Sequence, residues 1–300
     1  MAAADDTKSL RRARFAPYGL LSPGLIWLAL FFLVPLATLI RLSLSEKPNA
    51  FLPEYNFTGS TANFSSAIGD NTDVLGRSFL YAAAATIAAI LIGYPLAYFV
   101  AFRAGKYRTI LLGLVILPFY TSFLIRTLAW KSLLADEGPV LRFLSSLKVD
   151  SLLEAVGVMQ NGRVLNTSLS VIGGLTYNFL AFMILPIYVS LEKIDVRLLD
   201  AAQDLYNSPR AAFRRVVLPL SMPGVFAGTL LVFIPAAGDF VNAELLGGPN
   251  NAMIGSKVKD LLFNQSDYPS AAALSLVFMV LITAGVLLYA KVLGTDELVG

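Results

Sequence analysis

Apolar stretches of about 20 residues, the length of helix that crosses roughly 30 Å of hydrocarbon, recur six times along this chain. Their approximate limits are 18–42, 79–102, 109–134, 168–191, 222–246 and 270–290. Within them apolar residues do not alternate with period two, so the pattern predicts helices rather than the strands of a membrane β-barrel. The longer polar segments lie at 43–78, 135–167 and 247–269, and their Asn-, Ser-, Gly- and Thr-rich character, as in 56–71, predicts short surface helices. Neither an internal repeat nor a low-complexity linker divides the chain. Residues 18–300 therefore read as one transmembrane domain behind a basic terminus at 1–17.

Composition agrees with this reading. Hydrophobic residues make up 56% of the 300 positions and charged residues 14%, whereas about a quarter of a soluble domain is charged. The apolar run after the basic terminus is too long for a signal-peptide core, and no small-residue cleavage site follows it, so it reads as a retained first span.

Charge then supplies orientation. Segments 1–17, 103–108, 192–220 and 291–300 hold thirteen of the Lys and Arg residues, while the three longer segments opposite them hold seven. The positive-inside rule places the first group, including both termini, in the cytoplasm. The basic balance is thus an orientation signal of a membrane protein and not a nucleic-acid footprint.

The chain contains no cysteine and no histidine, which removes disulfide frameworks, thiol nucleophiles, zinc sites of the Cys/His kind and a Ser-His-Asp triad. Ala104-Gly105-Lys106-Tyr107 comes nearest to a phosphate loop. It lacks the first glycine and the hydroxyl, and it follows a membrane span instead of a strand, so it reads as a short basic turn. The expectation is a protein that is not an enzyme, with no metal site and no cofactor of its own.

Charges inside spans cost at least about 2.5 to 3.5 kcal/mol at the midplane, so they face polar interiors or pathways. Arg126 and Lys131 interrupt the third span, and Asp239 and Glu244 the fifth. Arg126 and Asp239 each lie about 17 residues, or roughly 25 Å, from the cytoplasmic starts of their spans, which puts both near the outer mouth. Pro235 and Gly238 precede Asp239, so freed carbonyls beside the carboxylate would suit a cation. Two other readings stand beside that one: Asp239 pairs with Arg126 to pin two helices, or the pair closes a gate and exchanges for substrate. Phe123, Tyr177 and Phe240 offer aromatic faces to a cation, and most such rings simply face lipid or pack between helices. A stand-alone secondary transporter or channel remains the alternative at this point.

The basic segment 192–220 has its own pattern. Asp195 is a good N-cap for a helix from Val196 to Leu205. Leu198, Ala201, Ala202 and Leu205 fall on one face, and Arg197, Asp200, Gln203 and Asp204 on the other. After a break at Asn207, Ser208 caps and Pro209 starts a second short helix through Val217, with Pro219 and Pro223 ahead of the fifth span. By periodicity alone this elbow could equally be an interfacial amphipathic linker.

The run Leu199-Asp200-Ala201-Ala202-Gln203-Asp204-Leu205, then Ser208-Pro209, Ala212 to Ser221 and Pro223-Gly224, resembles the EAA loop of permease subunits from bacterial ATP-binding-cassette (ABC) importers. Tyr177-Asn178-Phe179, Phe182 to Pro186, Leu191 to Asp195, Gly238 to Val241 and Glu244 to Pro249 resemble, more narrowly, the spermidine/putrescine branch. The resemblance implies an all-α membrane protein of six spans with a cytoplasmic coupling helix, in which Arg197, Asp200, Ala201, Ala202, Asp204, Leu205, Tyr206 and Ser208 would meet a separate ATPase dimer. That ATPase would bind ATP and Mg. A second, homologous permease subunit and an external solute-binding protein would complete the machine, and the cargo would be a small cation such as a polyamine. Arg126, Phe123, Tyr177, Asp239, Phe240 and Glu244 would line or gate its pathway. Two positions depart from the family's pattern: Asp200 replaces the usual glutamate, and Tyr206 replaces a glycine that would tolerate positive φ. Either Asn207 takes the left-handed position or the elbow has another shape.

Overall fold

The computed structural model describes residues 20–46, 55–146, 154, 159, 162–206 and 208–293. The basic terminus at 1–17 and Asn207 lie outside them. In chain order the helices are α1 (Leu20–Ser43), α2 (Ala62–Gly69), α3 (Thr72–Phe102), α4 (Gly105–Tyr120), α5 (Phe123–Leu134), α6 (Pro139–Ser146), α7 (Ser168–Glu192), α8 (Val196–Tyr206), α9 (Pro209–Ala237), α10 (Ile254–Phe263) and α11 (Tyr268–Leu293). Of these, α1, α3, α7, α9 and α11 are each long and apolar enough to cross a membrane. The short helices α2, α6 and α10 fall in the long polar segments, where the sequence predicts them.

Two expected spans take a different form. The third, expected as one helix over 109–134, is broken between α4 and α5 by a bend of 93°. A 3-10 turn at Leu117–Tyr120, containing Pro118, tightens the end of α4, and Thr121 is extended with ψ 150°. The fifth, expected from 222, begins at Pro209 and ends at Ala237, so the anticipated second short helix of the elbow runs straight into the span. A π-helical stretch at Phe213–Val217 precedes Pro219 and Pro223. Such local widening lets a helix carry residues that donate no hydrogen bond.

Residue contacts group the chain into two compact units. The first comprises residues 1–70 and 265–277. In it, Ser45 and Glu46 pair antiparallel with Phe57 and Asn56, and Asn63 donates to the carbonyls of Ser43 and Ser45 at 2.9 Å each. Tyr55 meets Tyr268 edge to face at 5.5 Å. Helix α1 leaves Trp27 and Phe31 more than half exposed, which is the surface expected of a helix among lipid tails.

The second unit, residues 71–264 and 278–300, holds the main core. There α3, α7 and α9 pack together around Met183, which is 0% exposed. Lipid tails are as apolar as leucine, so helices in a membrane associate through close packing, which small residues permit. Ala82, Ala85, Ala89 and Ala97 of α3 are all buried. A Cβ on Gly93 would lie 3.2 Å from both Met183 and Ile184, and one on Gly228 only 2.8 Å from the Met183 sulfur and 3.2 Å from its carbonyl oxygen.

Contacts at the two ends of this bundle sort the loops as the charge bias does. At one end Arg108, opening the α4 segment, pairs with Glu192 and donates to the Tyr188 hydroxyl near the end of α7. At the other, Asn251 accepts from the Tyr81 hydroxyl at 2.7 Å and donates to the Asn166 carbonyl at 2.8 Å, while Arg77 donates to the Ala252 carbonyl at 3.2 Å.

Replacing Gly228 with leucine should disrupt the three-helix crossing, because backbone of α7 cannot yield as a side-chain tip can. Overpacking of this kind costs about 1 to 3 kcal/mol. The expected outcome is a lower thermal unfolding temperature in detergent and a smaller monodisperse fraction on size-exclusion chromatography. Gly113→Leu, where a Cβ would meet nothing within 4 Å, should match the wild type in both measurements.

Candidate functional site

Helix α8 forms the predicted elbow. The Asp195 carboxylate accepts from the Arg197 backbone N–H at 2.9 Å, the N-terminal capping its position predicts. The helix continues through Tyr206, so this aromatic belongs to the helix and not to the turn. The left-handed alternative at Asn207 lies outside the described residues. Pro209 then takes the first turn of α9, and α8 packs against the stretch from Pro209 to Val217.

Burial divides α8 differently from the expected single apolar face. Ala202 is 5% exposed and Leu199 packs on the core, whereas Leu198 is 51% exposed. Ala201 is exposed as well, beside exposed Arg197, Asp200 and Asp204. The outward side of the elbow thus mixes an open leucine with charges of both signs, a composition suited to a protein surface. Ser208 is half-buried and its side chain makes no capping bond to α9.

A second cluster of chemistry lies at the opposite end of α9. Proline at 235 and glycine at 238 end the helix at Ala237, and a short helical segment containing the π-turn Ala243–Gly247 follows. Asp239 sits between them, 8% exposed, its Oδ1 accepting from the Asn242 backbone N–H at 2.6 Å. The carboxylate therefore caps the following segment, with the three-residue offset such caps use.

Asn242 is wholly buried, and its side-chain oxygen accepts from Asn178 of α7 at 3.0 Å and from Thr127 of α5 at 3.4 Å. Asn178 also donates to Thr127 at 3.1 Å. This network joins α5, α7 and the segment after α9, yet Asn178 Oδ1 has no hydrogen-bond partner among the described residues.

Arg126 is 9% exposed, and its Nε and Nη1 have no hydrogen-bond partner among the described residues. The bend between α4 and α5 lets it fold back, with the guanidinium 4.6 Å from the centre of the Phe119 ring and 5.8 Å from that of Phe123. The pairing of Arg126 with Asp239, one of the three readings of these charges, is not formed. Asp239 bonds to backbone and Arg126 to aromatic faces, because the broken third span re-aims the arginine that a straight helix would have pointed elsewhere. Along the chain, Asp239 lies just beyond the end of its helix, and Arg126 lies one turn past the bend.

The remaining candidates separate. Tyr177 meets Trp130 edge to face at 5.4 Å and lines, with Phe119, Pro118 and Leu96, an apolar pocket of about 290 Å3. Phe123 packs on Phe179 at 5.9 Å. Glu244 is not part of the buried network: both its oxygens lie 2.6 Å from Lys259 Nζ. Phe240 is 44% exposed, with that ammonium 6.0 Å from its ring centre. Thr127, Asn178 and Asn242 are the residues that hydropathy overlooks; the signal for Asn178 is an amide set within an otherwise apolar run.

Residues 89–293 match the profile of the family described as "Binding-protein-dependent transport system inner membrane component". The spermidine/putrescine transport system permease protein PotB of Haemophilus influenzae is 37% identical over 265 residues, covering 88% of this chain and 89% of the relative. The inner membrane ABC transporter permease protein YdcU of Escherichia coli is 34% identical over 285 residues, 93% of this chain and 89% of that protein. Among solved structures, a chain of the bacterial alginate ABC transporter, in complex with an alginate pentasaccharide-bound periplasmic protein, shares the fold at TM-score 0.63 and 17% identity, with 97% of each chain covered. A dependence on a binding protein sets aside the stand-alone transporter or channel. This chain belongs to the binding-protein-dependent inner-membrane components, the permease subunits of ABC importers.

Proposed function

We propose that this permease carries a small polycation of the polyamine class into the cell by alternating access. The observation that carries the reading is Asp239: a buried carboxylate just past the end of α9 with, among the described residues, no cation within ion-pair distance. A buried charge left uncompensated is costly, and an ammonium ligand would offset that cost. The likeness to PotB, named for spermidine and putrescine, supports the same cargo. An inside-negative potential favours cation entry by about 2.3 kcal/mol per charge per 100 mV.

In this reading residues 18–300 form one permease domain of six spans, the bent α4–α5 pair counting as the third, with both termini in the cytoplasm. Helix α8 is the coupling helix, and Leu198, Ala201, Arg197, Asp200 and Asp204 face a groove on a separate ATPase dimer that binds ATP and Mg. A second, homologous permease subunit supplies the other half of the pathway. A solute-binding protein delivers cargo to the opposite face, and the alginate importer's periplasmic protein supports such a partner. Arg126 and Phe123 of α5 then contribute a cationic and an aromatic wall of the pathway, Phe240 follows Asp239 in the chain, and Tyr177 lines the separate apolar pocket beside α4.

Asparagine at 239 would keep the cap, since both residues serve equally well there, while removing the charge. Asp239→Asn should lower spermidine or putrescine uptake in proteoliposomes of the assembled transporter by about tenfold or more, the cost of losing one partner of a desolvated charge pair. Assembly, read by co-purification, should stay intact; uptake equal to wild type would remove Asp239 from the pathway. At the other end, the charge reversal Asp204→Lys should leave ATP hydrolysis running without transport. Normal uptake with fully substrate-stimulated hydrolysis would show that the ATPase does not dock there.

A further inference from the structure

Outside the buried network, Lys259 of α10 meets Glu244 and Phe240 in an arrangement that goes beyond the pathway proposed around Asp239. Gly255 lets α10 approach the end of α9: a Cβ there would lie 3.1 Å from both the backbone nitrogen and the Cβ of Phe240 and would also meet the Gly238 carbonyl. Four residues later, on the same face of α10, Lys259 places its ammonium 2.6 Å from each oxygen of Glu244 and 6.0 Å from the Phe240 ring centre. A carboxylate gripping one –NH3+ group beside an aromatic face is the chemistry that recognises a primary alkylammonium.

The pair lies in a pocket of about 290 Å3, whose wall also includes Ser256, Asp260 and Asn264. Both side chains of the pair are more than a third exposed. Exposed ion pairs add little net stability, so a solute ammonium can exchange with the lysine at small cost. A diammonium chain brings two charges to a pocket whose wall holds two carboxylates, Glu244 bound by Lys259 and Asp260 accepting from Asn264 at 2.6 Å.

We propose that Lys259 is a built-in surrogate of the cargo: its ammonium occupies a primary-ammonium subsite formed by Glu244 and Phe240, and an arriving alkyl diammonium displaces it. The subsite lies on the face that the charge bias assigns to the outside, where cargo enters. The assignment of a diammonium as cargo rests on the polyamine reading, but the exchange at Glu244 does not require transport. The competing account is a structural pin between α10 and the segment after α9.

The test measures binding of butane-1,4-diamine to the full chain in lipid nanodiscs, alongside putrescine uptake by the assembled transporter. Removing the plug with Lys259→Met should tighten diamine binding by up to about fivefold, the whole worth of an exposed pair, with unfolding temperature unchanged. Lys259→Arg keeps a cation on Glu244 and should bind as wild type does. Glu244→Gln should weaken binding, and Glu244→Gln combined with Lys259→Met should bind no better than Glu244→Gln alone, because the lysine acts only through that carboxylate. Binding by Lys259→Met that is unchanged or weaker, or a gain that persists without Glu244, overturns the surrogate and leaves the pin. Wild-type transporter that binds the diamine with this mutant pattern yet takes up no putrescine would overturn the polyamine reading while leaving the subsite in place.

Discussion

Close approach of α3, α7 and α9 around Met183 is the constraint on which the rest of this permease depends. Between lipid tails no hydrophobic gradient drives helices together, so contact distance itself must supply the attraction. Gly93 and Gly228 leave the room that Met183 fills, and the alanines of α3 extend the same close seam. With the three helices held, the Arg108–Glu192 pair at one end and the Asn251 contacts at the other fall into place. Both regions of chemistry inherit their positions from that crossing, α8 through the end of α7 and Asp239 through the end of α9.

The far end of the bundle is built from interruptions. Helix α9 stops where Pro235 and Gly238 weaken it, and the third span breaks at Thr121 and Ser122. Backbone freed in this way is tolerated at membrane depth only where protein or a water-filled cavity surrounds it. The breaks bring together Asp239, Asn242, Asn178 and Thr127, all buried, and leave buried Arg126 against the Phe119 and Phe123 rings. Several of their polar atoms lack partners, a condition that a stable core avoids and a pathway can use when solute arrives.

The elbow obeys a different logic. Asp195 caps α8 and Pro209 opens α9, local features that depend on few neighbours and were therefore legible in the residues themselves. Tyr206 looked misplaced only under the assumption of a tight turn at that position; with the helix extended through it, an aromatic residue has no steric objection. The division of α8 into an inward Leu199–Ala202 side and an outward Leu198–Ala201 side was not legible, because small changes in helix rotation decide which of two adjacent apolar stripes meets the core.

Hydropathy along the chain determined the membrane class, the approximate placement of the apolar helices, and the bias of basic residues toward one set of loops, since each is a sum over many side chains that no single contact overturns. The EAA-like run determined the family by its residue order. Tertiary structure alone decided that the third span bends by 93°, that the fifth starts at Pro209, and that Arg126 lies against phenylalanine rings while Asp239 caps a turn. A linear pattern records how apolar a segment is but not the direction in which a break turns it. The partner of a buried charge is settled over a few ångströms, within reach only after the helices have met.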